Sequence, residues 1–268
     1  MAFSFAFHSR NFISFLFIII SFSLMILEST VTQAASYSSV AHFRPTTWKH
    51  AHVTYYGDGT ASGTMGGACG FENLFNSGYG SNTAALSPVL FNNGFACGTC
   101  YQIKCINSKW CYKDTPYITV TGTDRGPPSW ASASDNGAHF DLNKPAFMKF
   151  AQLTGGILPV IYRRVPCMKR GGIRFKLQGN GYWLLVFVMN VGGGGDISKM
   201  WVRGSRSGRW ISMTHNWGVS HQAFAELGGQ SLSFRLQSYS TKKIITASYV
   251  TPSNWNTGMT YKSSVNFR

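Results

Sequence analysis

Six cysteines carry the most reactive chemistry in this 268-residue chain, and two of them stand as Cys97-x-x-Cys100. In a reducing compartment that spacing serves zinc binding or thiol exchange. The N-terminus points elsewhere. Arg10 precedes an apolar run from Phe12 to Leu27, and small residues follow at Ala34, Ala35 and Ser36, which is a secretory signal pattern over residues 1–35. The run falls short of the ~20 residues a bilayer span needs, and charges or glycines interrupt every later candidate, so no transmembrane segment is expected. Outside the cell the even set Cys69, Cys97, Cys100, Cys105, Cys111 and Cys167 reads as three disulfides, with the pairing left open by the sequence.

Other reactive constellations are missing from the pattern. His50 and His52 are one residue apart, while His139, His215 and His221 stand without carboxylate or thiolate company at ligand spacing, so no metal is expected. There is no Gly-x-Ser-x-Gly elbow, and cysteines held in disulfides leave no Cys–His nucleophile pair. The glycines between Gly57 and Gly80 match neither a phosphate loop nor a dinucleotide turn, so no cofactor is expected. Carboxylates are scarce, nine in all. Read from its neighbours alone, Asp141 caps or braces a helix predicted just after it.

Charge divides the chain. The formal net charge is +15; residues 36–167 hold ten Lys and Arg against six acids, and residues 168–268 hold thirteen against two. A basic half favours anionic partners. Export sets nucleic acid aside, and nonspecific, salt-sensitive attraction to acidic polysaccharides is the better expectation.

Strands must position these residues. After a Ser- and Thr-rich lead-in at 36–47, expected to be flexible, a first domain spans 48–167. Its apolar β-rich segments at Tyr101 to Ile106, Tyr117 to Thr121 and Ile157 to Tyr162 suit a small barrel. One helix is predicted, capped by Asn143, with Pro145 in its first turn and an end near Gly155-Gly156. Residues 168–172 form a hinge. Beyond it Ile173, Phe175 and Leu177, and later Leu232, Phe234 and Leu236, alternate with polar residues, the period of half-buried strands. With further strands at Trp183 to Val188, Met200 to Val202 and Ile244 to Tyr249, residues 173–268 read as a β-sandwich. Trp201, Trp210 and Trp255 are assigned to its core, and apart from the one helix the chain reads as all-β.

Several blocks, in order, resemble one family. They are His52-Val53-Thr54-Tyr55-Tyr56-Gly57, Ala61-Ser62-Gly63-Thr64-Met65-Gly66-Gly67-Ala68-Cys69-Gly70, Leu90-Phe91-Asn92-Asn93-Gly94, His139-Phe140-Asp141-Leu142 and Tyr162-Arg163-Arg164-Val165-Pro166-Cys167. Together they resemble the alpha-expansins, from about Trp48 to Arg268. The resemblance implies a six-stranded double-psi β-barrel, similar to family-45 endoglucanases, followed by an immunoglobulin-like β-sandwich carbohydrate-binding module. It implies the pairs Cys69–Cys97, Cys100–Cys167 and Cys105–Cys111. Two departures stand out. A further pair of cysteines usual in the family is absent from the stretch around Thr123 to His139, whose shortened loop from Arg125 to Ala138 is predicted to be more mobile than the barrel strands. The Asp usual before Ala-Ser-Gly is Thr60, with Asp58 two residues earlier.

The site follows from the same resemblance. Asp141 takes the place of the hydrolase acid, with Thr54 and Tyr56 beside it and His139 and Asp58 as further sugar contacts. Tyr182, Trp183 and Trp217 are expected to stack on glucan rings. Cutting a glycosidic bond takes two carboxylates ~5 to 10 Å apart; Asp58 is the nearest second candidate in sequence, with Glu72 and Asp124 remote. The expected function is therefore non-hydrolytic loosening of contacts between cellulose and matrix glucans by a secreted, monomeric protein of the plant cell wall. A weak endo-β-1,4-glucanase and a polysaccharide binder without wall-extending activity are the alternatives.

Overall fold

The computed structural model describes residues 42–60, 66–128 and 137–268. The leader, most of the lead-in, and much of the shortened loop after Arg125 lie outside the described residues. Ala41–Arg268 form one compact unit. Its strands are β1 (Lys49–Tyr56), β2 (Thr83–Leu86), β3 (Cys100–Cys105), β4 (Ile118–Arg125), β5 (His139–Asn143), β6 (Leu158–Val165), β7 (Arg174–Gly179), β8 (Trp183–Met189), β9 (Ile197–Gly204), β10 (Ile211–His215), β11 (Ser220–Phe224), β12 (Leu232–Ser238), β13 (Ile244–Ala247) and β14 (Thr260–Lys262). The helices α1 (Pro88–Phe91) and α2 (Lys144–Phe147) are single turns.

Strands β1 to β6 close into a barrel in the order β1-β5-β2-β4-β3-β6, with β1–β5 and β2–β4 parallel and the other neighbours antiparallel. Closure leaves no edge strand. Alternation turns Ala51 and Val53 of β1 and Phe140 and Leu142 of β5 inward, where Ile103, Val120, Leu158 and Val160 join them in the core. The polar residues between them, among them Thr54 and Asp141, face outward.

Strands β7 to β14 form one eight-stranded sheet in the order β13-β12-β9-β10-β11-β8-β7-β14. It curls about β10, which pairs with β9 on one side and β11 on the other. The two halves face each other as a sandwich does: Phe175 of β7 stacks on Phe234 of β12 with ring centroids 4.5 Å apart. The joining strand is what the sequence alone did not foresee.

Barrel and sheet are tied together. Cys167 donates its N–H to Gly193 at 2.7 Å, and Val219 donates to Cys69 at 3.0 Å. Arg164 pairs with the buried Asp196 at 2.8 Å, and Phe95 of the barrel stacks on His215 of β10. The expected hinge is held as well, since the Asn190 side chain donates to the carbonyls of Arg170 and Gly172. Even the end of the lead-in is fixed, because Thr46 and Arg164 exchange two hydrogen bonds of 3.0 Å.

Two expectations need correction. The predicted helix ends after one turn, because the chain from Phe150 to Gln152 pairs instead with the Trp110–Tyr112 loop. Asn143 makes no side-chain cap; its amide turns toward Thr83. Trp255 does pack against the sheet core, but Trp201 and Trp210 sit on the outer face, since Met200 and Val202 take the inward positions of β9.

Candidate functional site

The strand order β1-β5-β2-β4 lays a row of residues across the outside of the barrel. In its register Thr54 pairs with Asp141, Asp141 with Ala85, and Ala85 with Asp124. Paired positions on neighbouring strands share a face, so Thr54, Asp141 and Asp124 project the same way. Ala85, itself buried, separates the two acids with only a methyl group. Two strand spacings put their backbones roughly 10 Å apart. Tyr56 lies two residues along β1, on the face of Thr54.

Within the row the hydrogen bonds have a direction. Thr54 Oγ1 donates its one proton to Asp141 Oδ1 at 2.6 Å, so toward His139 Nε2, 2.9 Å away, the same oxygen accepts. His139 thus carries a proton on Nε2. Burial, followed by the neighbouring His52, lowers its pKa to about 4, which keeps the ring neutral.

The acids respond to the same surroundings. Burial raises the Asp141 carboxyl above its ordinary range, the Thr54 hydrogen bond opposes that rise, and the charge of Asp124 adds to it. Burial also raises the Tyr56 phenol, with Asp124 and then Asp141 contributing, so Tyr56 stays a protonated donor beside both acids. The arrangement offers a phenol donor and a carboxyl with affinity for its proton, both suited to binding sugar hydroxyls, while the neutral His139 ring is buried and braces Thr54.

Asp124 is the residue the sequence had left remote. Its Oδ1 accepts the backbone N–H groups of Ala68 at 2.6 Å and Arg125 at 2.7 Å, anchoring the Gly67–Ala68 loop to the end of β4. A Cβ on Gly67 would stand 2.8 Å from Asp124 Cβ, so only glycine allows this approach. Asp58, the nearer candidate in sequence, sits in an exposed turn where its Oδ1 accepts from the N–H and hydroxyl of Thr60 at 2.9 and 2.7 Å.

The cysteines pair as Cys69–Cys97, Cys100–Cys167 and Cys105–Cys111. No group of three or more metal-binding side chains occurs among the described residues, nor does any helix there have the length and apolarity to cross a membrane.

Comparison with known proteins sets this geometry among relatives. Residues 173–252 match the family model of the expansin C-terminal domain, and residues 83–162 match one described as lytic transglycolase. A putative expansin-A30 of Oryza sativa subsp. japonica is 56% identical over 236 residues, covering 85% of this chain and 89% of its own. The chain belongs to the alpha-expansin family. An expansin-A7 of Arabidopsis thaliana shares 57% identity over 234 residues, 85% of this alpha-expansin and 88% of the relative. In fold, the alpha-expansin resembles the apo expansin of Clavibacter michiganensis, with a TM-score of 0.64 at 16% identity over 83% of this chain and 98% of the other. A single-residue variant of that bacterial protein, solved in complex with cellohexaose, gives a TM-score of 0.63.

The second cluster of this alpha-expansin lies on the outer face of β8 and β11. Tyr182 is 71% exposed at the turn into β8. Trp183 follows, its Nε1 donating to Gln222 at 3.3 Å, and it pairs across strands with Phe224, which is 76% exposed. Further along the same face Phe187 meets the edge of Trp217, 45% exposed. Trp217 in turn touches Gly70 of the barrel, where a Cβ would come within 2.9 Å of the indole. The aromatic line therefore runs from the sheet to the barrel loop that also carries Ala68. Phe224 has no place in the sequence reading, since nothing in Ala223-Phe224-Ala225 marks it as exposed.

Proposed function

We propose that this alpha-expansin is a secreted plant cell-wall protein that loosens noncovalent contacts between cellulose and matrix glucans without hydrolysis. In this reading residues 1–35 are a removed leader, the barrel of 48–167 grips a glucan through Thr54, Tyr56 and Asp141 with the buried His139 bracing Thr54, residues 168–172 link the parts, and the sandwich of 173–268 docks on cellulose through Tyr182, Trp183, Trp217 and Phe224. The observation that carries it is the directed row His139–Thr54–Asp141 on the outer side of the barrel, together with a line of exposed rings that Trp217 carries onto the barrel loop at Gly70. Rings of this kind stack on the apolar faces of sugars while polar neighbours take the hydroxyls. The cellohexaose bound to the Clavibacter variant supports a β-glucan chain as the ligand.

Hydrolysis would need a general base across from Asp141. Asp124 is the acid at that position, and this favours a second reading as a weak endo-β-1,4-glucanase. Against it, Asp124 Oδ1 already accepts two backbone N–H groups in a structural anchor. The deciding experiment applies purified protein to acid-treated isolated walls under load, with a parallel assay for reducing ends. Extension above buffer without new reducing ends, reduced about tenfold or more in Asp141→Asn, is the expected result. Release of reducing ends that Asp141→Asn and Asp124→Asn both abolish would establish the hydrolase instead. Binding without extension would leave only an adhesive role.

A further inference from the structure

The half of the sheet turned away from the aromatic line carries a different surface. On β9 the residues Lys199, Trp201 and Arg203 face outward, and on β12 so does Arg235, whose partner across strands is Trp201. Trp210, just before β10, gathers two cations. The Arg203 guanidinium carbon lies 4.7 Å from its ring centroid and that of Arg235 lies 4.4 Å away.

Two guanidinium groups on one ring repel each other, and nearby anions usually offset that repulsion. Here none does. Among the described residues neither Arg203 nor Arg235 has an ion pair or a side-chain hydrogen bond, although both are half-buried. Other half-buried arginines have theirs taken up: Arg163 donates to Gln102, Arg174 to the Ser77 carbonyl, and Arg164 to Gly194, Ser240 and Asp196. Asp196, the acid of this half, is occupied by Arg164, Ser238 and Ser240.

We propose that Arg203, Trp210 and Arg235 form a binding site for chains of uronic acids. The indole holds the guanidinium groups by cation–π contact, which leaves their N–H forks free and pre-organised. A fork of that shape matches a carboxylate bidentately. Lys199, two strand positions from Trp201 on the same face, extends the row of cations by ~7 Å and suits a polymer with repeating carboxylates better than a lone anion. A neutral glucan would leave these charges unmet, so the site complements the β8–β11 face. The choice of a uronate chain over nucleic acid rests on the wall-protein reading above.

The test measures depletion of the full-length secreted protein by polygalacturonate, by its methyl ester, by cellulose and by duplex DNA at one salt concentration. Arg203→Gln/Arg235→Gln is expected to lose about tenfold or more in affinity for polygalacturonate and nothing for cellulose. Arg203→Lys/Arg235→Lys, which keeps charge and lacks the fork, is expected to lose most of the same affinity. A control that removes two charges elsewhere, Lys104→Gln/Lys109→Gln, is expected to lose less than about twofold. Equal losses in the Arg and control pairs, undiminished binding to the methyl ester, or tighter binding to DNA would each overturn the site. Lack of wall extension by a wild-type protein that still discriminates polygalacturonate would overturn the loosening function and leave this site standing.

Discussion

A hydroxyl has one proton to give, and Thr54 gives it to Asp141, so the donor side of the row ends at His139. The Asp141 carboxyl is raised in the folded protein, so between its ordinary and its raised value the folded state holds a proton the unfolded state has lost. Its stabilising contribution is therefore complete at low pH and is lost as pH rises through the raised value. Asp141→Asn cannot ionise. In denaturant titrations at successive pH values, its midpoint relative to wild type should climb as pH rises above about 4, the usual carboxylate range, and then level off; parallel curves would contradict the burial of this carboxyl. Asp141 itself was visible from the His139-Phe140-Asp141 block, whereas Asp124 was not. Asp124 reaches the site only because both acids take Ala85 as their cross-strand partner, and register of that kind is set by barrel closure rather than by spacing along the chain.

At the scale of elements, alternation is legible where one face of a strand is wet. β7 and β12 alternate because solvent lies on one side and the Phe175–Phe234 contact on the other. β2 and β5 escaped notice: Thr83–Leu86 is buried at every position and β5 at all but Asp141, so neither shows a period. The helix expected to run to Gly155-Gly156 keeps its proline start but stops after one turn, because the chain beyond it pairs with the Cys105–Cys111 loop. The disulfides that hold such short strands differ in reach. Cys100–Cys167 closes 67 residues and joins the start of β3 to the end of the barrel, while Cys105–Cys111 closes six. Replacing the first pair by alanine should lower unfolding free energy by ~4 kcal/mol and the second by ~2 kcal/mol, as read by chemical denaturation. Equal losses would mean that loop length does not govern their effect.

At the scale of the whole molecule, barrel and sheet act as one body because their junction is dense with specific contacts. Phe95 stacks on both His215 and Tyr239, and His215 meets the buried His221 edge-on at 5.3 Å. Burial, then His215, lowers the His221 pKa to about 4. The unfolded chain therefore takes up a proton that the folded chain refuses, and stability is lost as pH falls from about 6.5 toward 4. His139 adds to the loss over the same window. His221→Phe should reduce the drop in melting temperature over that range relative to wild type, while leaving the part due to His139; an unchanged slope would show that His221 protonates without strain.

The strand β10 belongs to both halves of the curled sheet, and this has a mechanical meaning. Two plates held only by their facing side chains can slide apart when pulled sideways. A sheet folded over a shared strand must first break a ladder of backbone hydrogen bonds, and the loop leaving β10 carries Trp217 onto the barrel. On the proposed function, tension applied by one polymer at the rings of β8 and β11 would reach a second polymer on the outer side of the barrel through covalent chain and hydrogen-bonded ladder.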